Sequence, residues 1–137
     1  EDRSGPILVN FLREQGFETP QPLVVADADI DSALTTAFAD APSVILTSGG
    51  TGISPDDQTV EALTPHLECE LPGLAHAFYA RSAGIPTAAL SRTVAGVTGS
   101  TFAMALPGST GAAKDGCAVL QPVLHHIINQ LEGIHEH

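Results

Sequence analysis

The chain has 137 residues, is 43% apolar and 4% aromatic, and carries 16 acidic against 5 basic residues, for a net charge of -11 at pH 7. This length fits one domain over 1–137, and the aliphatic character favours helices packed on a buried sheet over a β-sandwich. The charge argues against DNA or RNA as a partner, because nucleic-acid binding requires phosphates to be neutralised by basic side chains.

Charge and cysteine usage also bear on the ligand and the compartment. Backbone N–H groups and a bound cation can counter an unfavourable field locally, so a phosphorylated small molecule stays compatible with this charge and a metal-assisted site is favoured. Cys69 and Cys117 form no Cys-x-x-Cys pair, which fits a reducing cytoplasm. No apolar run approaches the ~18 residues of a membrane span, and a soluble cytoplasmic protein is therefore expected.

The first half of the chain predicts two helices and two strands. Ser4 caps a helix with Pro6 in its first turn, and Gly16 ends it. Asp29 is placed to cap a second helix, and a β-branched apolar run leads into the glycines that follow it. The predicted elements are a helix over 4–15, a short buried strand fed by 20–26 with Asp27 at its carboxyl end, a helix from 29 to 42, and a strand over 43–46.

The second half continues the alternation. Its predicted elements are a helix over 59–63, a helix from 72 to 84, a small strand over 88–90, a glycine-broken loop over 94–100, a strand over 101–106 and a last helix over 111–131. Alternating strands and helices predict an α/β fold with a mostly parallel sheet and helices on both faces. Ligands gather at the carboxyl ends of such strands.

The turn of 47–52 is the first candidate site. Its residues are Thr47, Ser48, Gly49, Gly50, Thr51 and Gly52. Three glycines let the backbone adopt positive φ and approach a ligand closely, and a helix start after them would offer N–H donors to an anion. The alternative is a tight strand-to-helix turn without a ligand. Neither the P-loop nor the dinucleotide fingerprint is complete here.

Carboxylates follow the glycine turn. Asp56 and Asp57 come four and five residues after Gly52, where one of them could hold Mg²⁺ against a phosphate, or could simply cap a helix. Asp27, at the end of a separate predicted strand, could converge on the same place or be an ordinary turn residue.

Two further segments end predicted strands. Ser91 and Arg92 could contact a ligand phosphate, although an Arg here could equally be a surface ion-pair partner. The second anion site would be formed by Pro107, Gly108 and Ser109 with Lys114 one turn into the helix; the alternative is an ordinary strand-to-helix connection and a solvated Lys.

The six histidines do not predict a metal site. His125 and His126 are adjacent and point to different helix faces, and no pair is spaced i, i+4. His135 and His137 are expected to belong to a frayed tail.

As a set, these segments resemble the molybdopterin-binding family that builds the molybdenum cofactor, in particular its molybdopterin adenylyltransferases. The diagnostic run is TSGGTGISPDDQTVEA over 47–62, supported by segments 2–6, 90–92, 95–97 and 106–109. The resemblance implies a doubly wound α/β domain that forms homotrimers. It implies transfer of AMP from Mg-ATP to the molybdopterin phosphate, with release of pyrophosphate.

The resemblance also implies roles for individual residues. The glycine turn would hold the ligand, Asp57 and Asp27 would match two catalytic acids and form a Mg²⁺ pair, and Pro107, Gly108 and Ser109 would line the same pocket. The metal and the N–H donors would neutralise charge as one phosphate attacks another. Contact with the metal-inserting molybdotransferase of the same pathway is a further implied partnership.

Departures from the family pattern leave alternatives open. Relatives begin with a strand and a Ser-Asp-Arg-type loop, so we expect the first strand to be missing from this chain. Segment 53–56 lacks the basic residues of some relatives, and 108–114 carries its Lys later than they do. The alternatives are a molybdopterin-binding scaffold without catalysis, and a domain of a larger protein such as the metal-inserting molybdotransferase.

Overall fold

A computed structural model describes residues 2–133; Glu1 and residues 134–137, including His135 and His137, lie outside the described residues. The helices are α1 (Ser4–Glu14), α2 (Ile30–Ala39), α3 (Thr59–Leu63), α4 (Pro72–Arg81), α5 (Thr110–Leu120) and α6 (Leu124–Leu131). The strands are β1 (Val44–Ser48), β2 (Cys69–Glu70), β3 (Val94–Thr98) and β4 (Thr101–Leu106). Short 3-10 helices cover Asp27–Asp29, Thr64–His66 and Pro86–Leu90.

The strands form a mixed sheet in the order β1-β4-β3-β2. β1 pairs with β4 in parallel, whereas β4 with β3 and β3 with β2 are antiparallel. The α/β fold class is confirmed, but the described sheet is not mostly parallel. The reason is local: only Gly99 and Ser100 separate β3 from β4, and a two-residue connection can join only antiparallel neighbours.

β4 is the centre of the core, and all six of its residues are buried. Phe102, Met104 and Leu106 face a cluster built from α1, α4, α5 and α6. Ala103 and Ala105 face a second cluster built from α2 and α3. Successive side chains of a strand point to opposite faces, and each large apolar side chain buried here contributes roughly 1.5–3 kcal/mol. Helices on both faces, as predicted, are confirmed.

Two predicted strands are wrong. Residues 20–26 form no strand in the described structure, and Leu23 and Val24 are 81% and 77% exposed. Residues 88–90 belong to the 3-10 helix Pro86–Leu90. Proline explains both outcomes: Pro20, Pro22 and Pro86 cannot donate to a strand ladder, and Pro86 suits the first turn of a helix instead.

The predicted helices are present, but their predicted caps and one boundary are corrected. Ser4 is the first residue of α1 and its hydroxyl does not cap it; the Asp2 carboxylate accepts the Gly5 N–H at 2.9 Å instead. Asp29 occupies the N-cap position of α2 without a side-chain cap hydrogen bond.

The single helix expected over 111–131 is divided into α5 and α6 at residues 121–123. Pro122 accounts for the division, because it lacks the N–H that a continuous helix would use. Among residues 2–133 no helix has the length and apolar character needed to cross a bilayer.

Candidate ligand-binding site

The predicted glycine turn leaves the carboxyl end of β1 and is fastened at two points. Gly49 and Gly50 have φ of +99° and +71°, a region that favours glycine. The Gly49 N–H donates to the Leu106 carbonyl oxygen at 2.8 Å, and the Gly50 carbonyl oxygen accepts the Thr59 N–H at 3.1 Å. A Cβ at Gly50 would lie 2.0 Å from the Thr59 hydroxyl oxygen. The turn is therefore held between the end of β4 and the start of α3.

The turn does not run directly into a helix, which corrects the prediction. Residues 53–58 intervene, and the N–H of Thr59, the first residue of α3, already donates to Gly50. The available donors lie in the turn itself. Within residues 2–133 no protein oxygen accepts from the N–H of Gly50, Thr51 or Gly52, although Thr51 is buried and both glycines are half-buried. Such N–H groups normally find a partner in folded proteins, so these three are free to bind an anion.

The two predicted anion turns meet. β1 and β4 are parallel neighbours with Ser48 opposite Leu106, so the segments that follow them emerge at the same edge. A Cβ added to Gly108 would lie 3.3 Å from the Gly49 Cα atom. The predicted convergence of these turns is confirmed.

The start of α5 and the start of α1 complete this edge. The Ser109 hydroxyl caps α5 by accepting the Ala112 N–H at 3.0 Å. The buried Ser4 hydroxyl donates to the Gly108 carbonyl oxygen at 3.1 Å. Capping by Ser109 leaves the other N–H groups of the first turn of α5 without intrahelical partners, as in any helix.

Asp57 lies against the glycine turn, as predicted. One carboxylate oxygen, Oδ2, accepts the Ser54 N–H at 3.1 Å, and a Cβ at Gly52 would lie 2.6 Å from it. Asp57 does not cap α3, because the residue in the N-cap position is Gln58. Asp56 is exposed. Of the two adjacent carboxylates, Asp57 is therefore the one that faces the turn.

Asp27 is not at a strand end. It is exposed and begins the 3-10 helix Asp27–Asp29, which leads directly into α2. Within residues 2–133, no group of three or more His, Cys, Asp or Glu side chains is arranged to hold a metal ion. A metal role for Asp27 therefore stays a prediction.

Ser91 and Arg92 are brought to the glycine turn by the segment that enters β3. The Ser91 and Thr51 hydroxyl oxygens lie 3.1 Å apart. The Arg92 N–H donates to the Thr51 carbonyl oxygen at 2.8 Å. Both residues therefore contact the glycine turn, and their role in binding a ligand stays a prediction.

The Arg92 guanidinium contacts protein oxygens through all three of its nitrogen atoms. Nε and Nη2 donate to the Gly52 carbonyl oxygen at 2.9 and 2.6 Å, Nη2 also donates to the Asp57 carbonyl oxygen at 3.1 Å, and Nη1 pairs with the Glu61 carboxylate. The hydrogen bond from Arg92 holds the pKa of Glu61 below its ordinary value, and the same bond raises the pKa of Arg92. Of the two alternatives that the sequence left open for Arg92, the structure shows the ion pair. The contacts leave the side chain little capacity to bind a phosphate, and a phosphate contact stays a prediction.

The sequence did not single out Tyr79, which lies on α4. Its hydroxyl donates to the Ser91 carbonyl oxygen and accepts the Thr93 N–H at 2.9 Å. At helical spacing among apolar residues, a Tyr indicates core packing, and nothing in the sequence shows that its hydroxyl reaches the segment beside the turn.

A cavity of about 240 Å³ opens at the Pro107–Ser109 turn, between α4, the 3-10 helix Pro86–Leu90 and the start of α5, and none of residues 47–52 lines it. Its lining includes four of the predicted residues: Ser91, Pro107, Gly108 and Ser109. A neighbouring cavity of about 420 Å³ shares Ser82, Ile85 and Ala88 with it. The arrangement offers an anion cradle of N–H groups next to a mostly apolar recess.

Comparison with known proteins gives consistent matches. Residues 1–126 match the family described as "Probable molybdopterin binding domain". The chain is 38% identical to the Molybdenum cofactor biosynthesis bifunctional protein of Synechococcus elongatus over 97% of this chain and 43% of that protein. It is 34% identical to Molybdenum cofactor biosynthesis protein B of Bacillus subtilis over 95% of this chain and 81% of that protein.

A solved structure agrees with these sequence matches. The molybdopterin biosynthesis Mog protein from Mycobacterium ulcerans superposes with a TM-score of 0.89 at 44% identity, covering 97% of this chain and 88% of that one. The chain spans less than half the length of the bifunctional relatives that it matches. With a family match over residues 1–126 and a shared fold, the chain belongs to the molybdopterin-binding domain family.

Proposed function

We propose that this protein acts in molybdenum cofactor biosynthesis as a molybdopterin adenylyltransferase, moving AMP from Mg-ATP to the molybdopterin phosphate and releasing pyrophosphate. The observation that carries the proposal is the row of free N–H groups of Gly50, Thr51 and Gly52, with Asp57 directly beside them. Relatives named for molybdenum cofactor biosynthesis support the pathway.

The donors present suit Mg²⁺. Magnesium in phosphate-binding sites is usually held by one or two carboxylates together with substrate oxygens. Asp57 supplies one carboxylate, whose Oδ1 atom has no hydrogen-bond partner within residues 2–133. Asp27 is proposed as a second. Bound there, the metal would neutralise phosphate charge; the N–H groups of the turn would orient the phosphate and hold its oxygens.

Direct assay tests the reaction. Purified protein is incubated with molybdopterin, Mg²⁺ and α-labelled ATP, and we expect pyrophosphate together with an adenylylated pterin. Absence of both products would overturn the proposal.

Two adjacent carboxylates provide a matched pair of variants. Asp57→Asn should lose turnover by about 10²-fold or more, because an electrostatic contact in the transition state is removed, and it should still bind the pterin. Asp56→Asn is the control, since this side chain is exposed and forms no hydrogen bond with the turn in the described part of the chain. Equal activity of the two variants would exclude the metal role of Asp57.

A molybdopterin-binding function without catalysis is the second candidate. It is favoured by the exposed position of Asp27 and by the absence, within residues 2–133, of a cluster of three or more metal-binding side chains. Calorimetry separates the candidates, because a scaffold would bind the pterin without binding Mg-ATP.

The cellular location, the oligomeric state and the protein partner are also proposed from the family resemblance. We place the protein in the cytoplasm as a homotrimer that contacts the metal-inserting molybdotransferase. The chain covers 43% of two relatives that are named bifunctional proteins of molybdenum cofactor biosynthesis, and this supports coupling to a second function in the same pathway. Light scattering on the purified protein tests the trimer, and a monomeric mass would exclude it.

A further inference from the structure

The segment 52–57 carries Asp57 and forms two hydrogen bonds within itself. The Asp57 N–H donates to the Ser54 carbonyl oxygen at 2.9 Å, and the Ser54 N–H donates back to the Asp57 carboxylate at 3.1 Å. Gln58 donates to Pro55 at 3.0 Å. Beyond these local bonds, every hydrogen bond that ties 52–57 to the rest of residues 2–133 comes from Arg92. The Gly50–Thr59 hydrogen bond closes the chain around this segment, and within that loop the hydrogen bonds that hold 52–57 to the rest of the described domain come from one guanidinium.

Arg92 holds both ends of this segment at once. Its side chain donates to the carbonyl oxygens of Gly52, the first residue, and Asp57, the last. Its own N–H donates to Thr51, which precedes the segment. A planar guanidinium donates in fixed directions, and a Lys ammonium cannot reproduce such a set of bonds. Arg92→Lys would therefore keep the positive charge and lose this set of directed hydrogen bonds.

Two further contacts fix Arg92. Glu61 of α3 pairs with Nη1. Tyr79 holds the backbone on either side of Arg92, because its hydroxyl donates to the Ser91 carbonyl oxygen and accepts the Thr93 N–H. Tyr79 belongs to α4, which packs on α5 and β3. The hydroxyl therefore connects the body of the domain to the segment that carries Arg92.

We propose that Arg92 is a positioning residue rather than a phosphate ligand, and that Tyr79 supports it. Together they fix the distance between the Asp57 carboxylate and the free N–H groups of Gly50, Thr51 and Gly52. The catalytic consequence rests on the proposed adenylyl transfer, whereas the structural consequence does not. The hydrogen bonds from Arg92 to Gly52 and Asp57 are here called the clamp. Without the clamp, segment 52–57 could move, and the Asp57 carboxylate would no longer be held at a fixed distance from the N–H groups of the turn.

The experiment compares Arg92→Lys and Tyr79→Phe with the control Arg13→Lys, which alters an exposed arginine whose Nε and Nη2 donate to the Thr19 carbonyl oxygen at 3.0 and 2.7 Å. Hydrogen exchange of the peptide 51–58 is measured by mass spectrometry, and Mn²⁺ affinity in the presence of ATP by water-proton relaxation. Steady-state kinetics follow on the same proteins. Because a misplacement of about 1 Å can cost 10²-fold in rate, we expect kcat of Arg92→Lys to fall by about that factor with the KM for molybdopterin unchanged.

Tyr79→Phe should show a smaller fall in kcat, and the double variant should lose less than the product of the two single effects, since both act through one contact chain. Hydrogen exchange should accelerate in 51–58 for both Arg92→Lys and Tyr79→Phe, and both variants should bind Mn²⁺ more weakly. The control should show no faster exchange anywhere. Unchanged exchange in 51–58, or acceleration throughout the domain, would overturn the clamp. If Arg92→Lys does not fold, Tyr79→Phe decides by the same criteria. A wild-type protein without adenylyl transfer would refute the proposed function while the exchange result still judges the clamp.

Discussion

Replacing Gly50 by Ala tests the construction of the glycine turn most directly. Gly50 has φ +71°, and an added Cβ would lie 2.0 Å from the Thr59 hydroxyl oxygen and 2.9 Å from the Thr59 Cβ. Thr59 is only 6% exposed and its N–H bonds to Gly50, so it cannot move aside without breaking that contact. Gly49 at φ +99° and Gly16 at φ +92° have nothing within 4 Å of an added Cβ.

These positions separate backbone strain from steric overlap. A non-glycine residue in such a conformation costs roughly 1–3 kcal/mol, and that cost applies to all three substitutions. Gly50→Ala adds the cost of inserting a methyl group into filled space, which is about 1–3 kcal/mol. Gly50→Ala should therefore lower the free energy of unfolding by about 1–3 kcal/mol more than Gly49→Ala or Gly16→Ala.

Urea unfolding followed by circular dichroism measures the difference, provided that the slopes with denaturant agree between variants. In a Thr59→Ala background the closest overlap is absent. Gly50→Ala should therefore lower the free energy of unfolding by less in that background than it does in the wild type. Equal destabilisation by Gly50→Ala and Gly49→Ala would refute the reasoning, because it would mean that Thr59 does not restrict the turn.

Three further predictions concern single side chains. Ser109→Ala should lower the free energy of unfolding by about 1 kcal/mol through loss of the N-cap, with Ser109→Asp as a near-neutral control in the same urea assay. Burial raises the pKa of Cys117 to about 11, so at pH 8 iodoacetamide should modify the exposed Cys69 first, and mass spectrometry showing Cys117 modified first would contradict this. The hydrogen bond from Arg92 lowers the pKa of Glu61, so the stability gained from the pair is full above the unfolded pKa of about 4.3 and lost as pH falls through the folded pKa. Unfolding of wild type and Glu61→Gln should therefore converge in acid, and a constant difference down to pH 2 would exclude the pair as its source.

The sequence predicted those parts of the fold that depend on local pattern. α1, α2, α3 and α4 follow from apolar spacing with Ser, Pro and Gly at their ends, and β4 follows from six consecutive residues that include no breaker. β3 was missed because Gly96 divides it, and a Gly within a strand weakens the pattern. The structure gives the reason for that glycine: a Cβ there would lie 2.6 Å from the Cys69 carbonyl oxygen of β2. The reason for Gly96 becomes visible only when β2 is seen paired with β3.

The candidate site also has parts that the sequence predicted and parts that it could not predict. The meeting of the Gly49 and Gly108 turns was predictable, because neighbouring parallel strands end at one edge. The placement of Asp57 against Gly52 followed from closeness in the chain. The contacts of Arg92 were not predictable, since they depend on which carbonyl oxygens lie around it after folding, and a sequence shows only that a cation follows Ser91.

The contacts of Arg92 bear on how so acidic a domain could hold phosphates. The chain has five basic residues, and Arg92, which lies beside the glycine turn, donates to protein oxygens through all three nitrogen atoms of its side chain. Attraction of an anion to this turn then rests on backbone N–H groups, which carry partial charges and act only at short range. Such donors orient a phosphate but do not offset its full negative charge. A divalent cation on Asp57 would supply the remaining positive charge. A site built in this way would discriminate by geometry and metal content rather than by long-range attraction, which explains why the net charge of -11 is compatible with a phosphorylated ligand.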